Sequence, residues 1–150
     1  MTTITRKQVE AWRQLLICQA RMIRLIEIEL RRQNLIPLTF YDVLLQLRYA
    51  PDYTMRFRDL NGEIVMSRSA LSRAIDRMVK RHLVRKLDCP EDPRGLLLQM
   101  TSDGESSLKA AWPVYRQQIE RLFGRHFTET DLDFLKTKLS ALNETLEDVS

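Results

Sequence analysis

Apolar residues recur at three- and four-residue steps through most of the chain. From Thr5 to Gln33 they fall at Val9, Trp12, Leu16, Ile23, Ile26 and Leu30, with Leu15 and Met22 beside them. That is the period of a helix with one apolar stripe. Asn34 and Pro37 mark its exit. A second helix is predicted from Thr39, with Asp42 three residues on in a capping-box-like arrangement and Phe40, Val43, Leu44 and Leu47 as its stripe. It should stop near Ala50, where Pro51 and Asp52 read as a turn. A short helix, weakened by Gly62, is predicted over Phe57 to Ile64.

Ser67 is the expected cap of the next helix, which runs to about His82. The pattern then changes. The apolar and β-branched run Leu83 to Leu87, the turn-rich segment Asp88 to Gly95 and the run Leu96 to Met100 predict two strands of a hairpin. Thr101 should open a long helix reaching about Arg125, bent or loosened near Pro113. Thr128 and Asp131 should cap a last helix whose leucines stand at 132, 135, 139, 142 and 146, the spacing of a helix-packing seam. No internal repeat, low-complexity tract or linker interrupts the series.

The fold class is therefore mainly α with a small β-hairpin, an α+β chain with one domain over residues 1–150. Composition is that of an ordinary soluble protein, 44% hydrophobic and 29% charged. No apolar run approaches the roughly 20 residues that span a bilayer, and the opening MTTITRKQVEAW lacks a signal peptide's apolar stretch. The expected compartment is a reducing cytoplasm, with no membrane partner. Two cysteines make no disulfide framework, and their spacing with His82 and His126 fits no common zinc site. The expectation is no metal and no cofactor, with Cys18 and Cys89 inert.

Net charge is only +4, but its distribution is uneven. Arg68, Arg73, Arg77, Lys80, Arg81, Arg85, Lys86 and Arg94 crowd the stretch from Met66 to Arg94, against Asp76, Asp88, Glu91 and Asp92. After Thr128 acids predominate, with Glu129, Asp131, Asp133, Glu144, Glu147 and Asp148 against Lys136 and Lys138. On the Ser67–His82 helix, Leu71, Ile75, Met78 and Val79 form the side to be buried. The opposite side carries Arg68, Ser69, Ser72, Arg73, Asp76, Arg77 and Lys80. Small residues at Ser69, Ala70 and Ser72 let such a helix sink into a major groove about 12 Å wide. Arginines bond guanine edges or phosphates, and the free N–H groups after Ser67 favour a phosphate. The short helix before it, joined through Val65 and Met66, completes a helix-turn-helix. A solvated charged face is the bland alternative, which the hairpin and its Arg94 make less common.

Taken in order, these residues resemble the MarR family of winged-helix regulators. Ser67 to Met78 looks like that family's recognition helix, and Leu83-Val84-Arg85-Lys86 like the strand leading into its wing. Asp92-Pro93-Arg94-Gly95 resembles the wing-tip signature, Met100-Thr101-Ser102-Asp103-Gly104 the opening of the following helix, and Phe40 to Leu44 the start of the second helix. His82 departs from the family's glycine and would need a left-handed backbone; Pro93 replaces a second arginine, and Asn61-Gly62 replaces better helix formers.

The resemblance implies a winged helix-turn-helix at about 39–100 and a helical dimerisation lobe from about 5–36 and 101–147. It implies a homodimer on a pseudo-palindromic site in double-stranded DNA. Ser67, Arg68, Ser69, Ala70, Ser72, Arg73 and Arg77 would meet the DNA, with Arg94 in the minor groove, positioned by Asp92. Leu132, Leu135, Leu139, Leu142 and Leu146 would form the interface, against the alternative of an intramolecular seam. Family members often respond to small aromatic ligands, so Met22, Ile26, Tyr41 and Leu45 become pocket candidates, with ordinary core as their alternative. Trp12 and Trp112 are expected to pack rather than bind. The sequence has no phosphate loop, metal helix or acid-base constellation that indicates an enzyme. The rival reading is a winged-helix module for protein or RNA, against which the basic strip lacks stacking aromatics.

Overall fold

The structure, a computed structural model, describes residues 3–64 and 66–149. Helix α1 (Arg6–Arg32) opens at Thr5, whose side chain accepts from Gln8 N while the Gln8 side chain accepts from Thr5 N, a closed capping box. It ends because Asn34 turns to φ 56°, letting Leu35 N reach the Leu30 carbonyl at 2.9 Å.

Helix α2 (Leu38–Tyr49) begins one residue before the expected cap, and Thr39 does not cap it. Pro37 stands at the cap position without a side-chain bond. Leu38 N instead donates to Glu27 Oε1 of α1 at 2.8 Å, so the cap comes from another helix. A 3-10 turn, Pro51–Tyr53, holds Asp52 and Tyr53 at positive φ. It delivers the chain into β1 (Thr54–Arg56), a strand absent from the sequence reading. The hairpin strands are β2 (Val84–Asp88) and β3 (Leu96–Met100), in register from Val84 opposite Met100 to Asp88 opposite Leu96. Strand β1 adds to the far side of β3, so the wing sheet is three-stranded and antiparallel in the order β1-β3-β2.

Helix α3 (Phe57–Glu63) and helix α4 (Arg68–Lys80) form the helix-turn-helix; Val65 of the connection lies outside the described residues. Ser67 Oγ accepts from Ala70 N at 3.2 Å, the predicted cap. Helix α4 ends with His82 at φ 58° and Leu83 N bonded to the Met78 carbonyl at 3.0 Å. This is the glycine-type exit made by a histidine. Thr101 ties the same corner down, donating to the His82 carbonyl at 2.6 Å and accepting from Gly104 N at 3.0 Å. A side chain on Gly104 would collide with the Leu83 carbonyl.

Helix α5 (Ser102–Leu122) runs through Pro113 and stops short of the predicted Arg125, where a 3-10 turn, Gly124–His126, intervenes. Helix α6 (Glu129–Glu147) starts on the predicted Thr128–Asp131 capping box.

The chain divides into two compact units, Met1–Tyr115 and Arg116–Ser150. In the first, Val43, Leu44 and Leu47 of α2, Leu60 of α3, Leu71, Ile75 and Met78 of α4 and Leu98 of β3 are buried, with Ile26 and Leu30 of α1. Burial of each contributes about 1.5–3 kcal/mol before entropy is counted. The expected packing of Trp12 is not met within the chain: it is 60% exposed, beside exposed Val9, Leu15 and Leu16. In the second unit, α6 has no buried residue among the described ones, and Leu139, Leu142 and Leu146 are exposed. No helix among the described residues is long and apolar enough to cross a membrane.

Candidate nucleic-acid interface

Helix α4 sits with one side sealed and the other open. Leu71, Ala74, Ile75 and Met78 are buried, while Ser67, Arg68, Ser69, Ser72, Arg73, Asp76, Arg77 and Lys80 are exposed and Ala70 is half-buried. The division follows from the three- and four-residue spacing, since residues so spaced share a face. The open side therefore presents small residues at the helix start, as the sequence reading required.

The four arginine and lysine positions on that strip are not equivalent. Arg68 lies over the Phe57 ring at 5.9 Å. Arg77 lies over Phe40 at 5.5 Å, a ring it shares with Arg81 at the same distance. Such stacking holds a guanidinium in place. Arg73 has no ion pair or ring contact among the described residues, which leaves its planar fork available for a base edge or a phosphate. Asp76, the strip's one acid, is paired with Lys86 of β2, Nζ to Oδ1 at 2.6 Å. The hydrogen bond from Lys86, then its charge, holds the Asp76 carboxyl below the ordinary carboxylate range.

The wing tip is organised by Asp92. Its Oδ1 accepts from Arg94 N at 3.0 Å and its carbonyl accepts from Gly95 N at 2.9 Å. Arg94 is thereby held by its backbone with its side chain exposed. Gly95 is needed for close approach, because a Cβ there would meet Cys89 Cβ at 2.9 Å. Cys89 is buried and Cys18 exposed.

Between α3, α4 and the wing runs a groove of about 420 Å³. Arg68, Ser72, Asp92 and Arg94 line it, as do four residues that sequence reasoning did not single out: Arg56, Phe57, Arg58 and Asn61. Arg56 is tied to Glu91 of the wing at 2.9 Å. The Asn61 Oδ1 atom is buried without a hydrogen-bond partner. Arg56 was missed because β1 is three residues long, too short for an alternating pattern, and becomes a strand only by pairing with β3; Phe57, Arg58 and Asn61 lie on α3, and only the fold brings them beside α4 and the wing. The arginines alone, at 56 and 58, were the available signal.

The pocket candidates fall differently. Ile26 and Tyr41 are buried, while Met22 and Leu45 are half-buried. Tyr41 belongs to a ring cluster with Trp112 and Tyr115. The α6 leucines are open to solvent or half-buried. Among the described residues no group of His, Cys, Asp or Glu is placed to hold a metal ion.

Residues 36–96 match the family model described as the MarR family. AbsC, a MarR family transcriptional regulator from Streptomyces coelicolor, is 27% identical over 99% of both chains, with a TM-score of 0.87. A second MarR family transcriptional regulator from that organism, solved in complex with DNA, is 24% identical, covers 97% of this chain and 91% of its own, and gives a TM-score of 0.89. Bordetella bronchiseptica BpsR, whose DNA binding is regulated by 6-hydroxynicotinic acid, is 17% identical over 89% of this chain and 98% of its own, with a TM-score of 0.78. No curated protein matches the sequence.

Proposed function

Because residues 36–96 form a MarR family domain, we propose that this chain is a sequence-specific regulator of transcription that binds duplex DNA as a homodimer. The observation that carries the reading is the open strip of α4 lying beside the arginine-lined wing groove. Helix α4 enters the major groove by its N-terminal end, where Ser69 and Ser72 leave room and Arg73 is free to bond a base. The wing places Arg94 toward the adjacent minor groove, and the groove between them accepts the intervening sugar-phosphate backbone. Phosphate contacts position the protein and base contacts specify the site.

The dimer reading is supported by two uncovered apolar stripes: Val9, Trp12 and Leu16 on α1, and Leu139, Leu142 and Leu146 on α6. A second copy that covers them would gain about 25 cal/mol for each Å² of apolar surface removed from water. Two α4 helices about 34 Å apart would read a pseudo-palindrome. Regulation by a small effector near Tyr41 is part of the same reading, supported by relatives such as BpsR. No catalytic step is assigned to the chain.

Selection of bound duplexes from a random pool tests the reading. The expected product is an inverted repeat with half-sites about one helical turn apart. Recovery of no shared sequence, or clear preference for single-stranded RNA in competition, would overturn it in favour of an RNA- or protein-binding module.

A further inference from the structure

We propose that the recess walled by Arg31 at the end of α1 and Arg81 just past α4 holds a backbone phosphate of the duplex, apart from the phosphates gripped beside the wing. The site rests on the DNA-binding reading given above. It extends the DNA surface to α1, which the resemblance places in the dimerisation lobe.

Ser69, Arg73, Arg77 and Arg81 follow one another at steps of four and form a single ridge. All four are exposed. Twelve helical rises carry the ridge about 18 Å. A major groove is only about 12 Å wide and about 8.5 Å deep. With the Ser69 end inside the groove, the Arg81 end therefore stands at its rim, where the phosphates are. The groove lined by Arg68, Ser72 and Arg94 lies at the first end of α4, so the two ends of the helix meet different stretches of backbone.

At the Arg81 end, two recesses flank the start of α2. Thr39 of α2 lines one of them with Ala70, Arg73 and Arg77 of α4. The other, of about 470 Å³, is lined by Arg31, Asn34, Pro37 and Arg81, with Glu27 on its wall. Phe40, in the first turn of α2, lies under both Arg77 and Arg81, each 5.5 Å from its ring centroid. Guanidiniums held this way are already placed, and less freedom is lost when they bond an anion.

Neither Arg31 nor Arg81 is in an ion pair among the described residues. Glu27 has one oxygen committed to Leu38 N at 2.8 Å. Arg32, the next residue along α1, is instead clamped by Glu29 at 2.7 and 3.0 Å. Two guanidiniums from different elements thus line one recess without a paired carboxylate. A phosphate satisfies both, since its oxygens accept from each planar fork.

A scan of duplex phosphates tests this. Single methylphosphonates, each removing one backbone charge, are placed along both strands of the selected duplex, and the affinity of the full-length protein is measured at each. Two sets of positions should lose about tenfold, as a charge-assisted hydrogen bond disappears. Arg31→Ala with Arg81→Ala should abolish the loss at one set and keep it at the other, and Arg94→Ala should do the reverse. The slope of log affinity against log salt should fall by about 1 for each recess emptied. Arg31→Ala alone leaves both guanidiniums on Phe40, so it should keep the wild-type melting temperature and still blunt the loss at the first set. Arg32→Ala removes the same charge one residue away and should change neither set. A double variant sensitive at both sets, or Arg31→Ala indistinguishable from Arg32→Ala, would overturn the proposal while leaving DNA binding intact. Failure of the wild type to bind any duplex would overturn the DNA-binding reading, and this site with it.

Discussion

Lys86 on the wing strand reaches Asp76 on the recognition helix, Nζ to Oδ1 at 2.6 Å. Both side chains are partly exposed, so the pair adds little to stability. Its effect is on the charge the helix presents. Without Lys86 a carboxylate would stand bare in the strip proposed to meet DNA. Lys86→Ala should therefore weaken duplex binding by about tenfold, and adding Asp76→Asn should restore most of the loss. A double variant no better than Lys86→Ala would mean that the lysine acts on DNA directly.

The same pair sets a pH dependence. The folded Asp76 carboxyl is lowered by Lys86. Its stabilisation is thus complete above the unfolded carboxylate value, near about pH 4, and is lost as pH falls through the lower folded value. Melting temperatures taken between about pH 5 and about pH 2 should fall more steeply for the wild type than for Lys86→Ala. Parallel curves would contradict the assignment.

Arg73 and Arg77 should separate. Arg73→Ala removes a guanidinium with no ion-pair or ring partner among the described residues, and should cost about 1–3 kcal/mol of discrimination at one base position while leaving the melting temperature alone. Arg77→Ala removes one of the two guanidiniums over Phe40 and should lower the melting temperature as well, because a stacked arginine also packs. Equal loss of stability in both variants would remove the distinction.

Arg94→Ala should weaken binding by a few-fold to tens-fold and reduce the slope of log affinity against log salt by about 1. Affinity measured from low to high salt checks both numbers. An unchanged slope would place Arg94 away from phosphates.

His82→Gly should stabilise the fold by about 1 kcal/mol, since a left-handed residue with a Cβ costs about that much. Denaturant midpoints decide the sign, and a destabilised glycine variant would show that the imidazole contributes more than its backbone costs.

Leu135→Glu with Leu139→Glu should give a monomer by light scattering, with duplex affinity lost in step. A variant that stays dimeric would move the interface off α6.

Much of this arrangement was legible in the chain. The polar strip of α4, the capping residues Ser67, Thr101 and Thr128 and the hairpin strands rest on local rules, while the left-handed exit at His82 followed from the resemblance. Side-chain period, cap chemistry and turn chemistry act over three or four residues, and the sequence displays those neighbours directly.

Periodicity along the chain sufficed for the set of helices and for the polar face of each. Tertiary structure alone decided the rest: that Glu27 rather than Thr39 caps α2, that Thr54–Arg56 is a strand, that Phe40 holds Arg77 while Arg73 stays free, and that Tyr41 meets Trp112 and Tyr115. Each of these joins residues far apart in the chain. Such a contact exists only once the intervening segments have folded, and no local pattern encodes it.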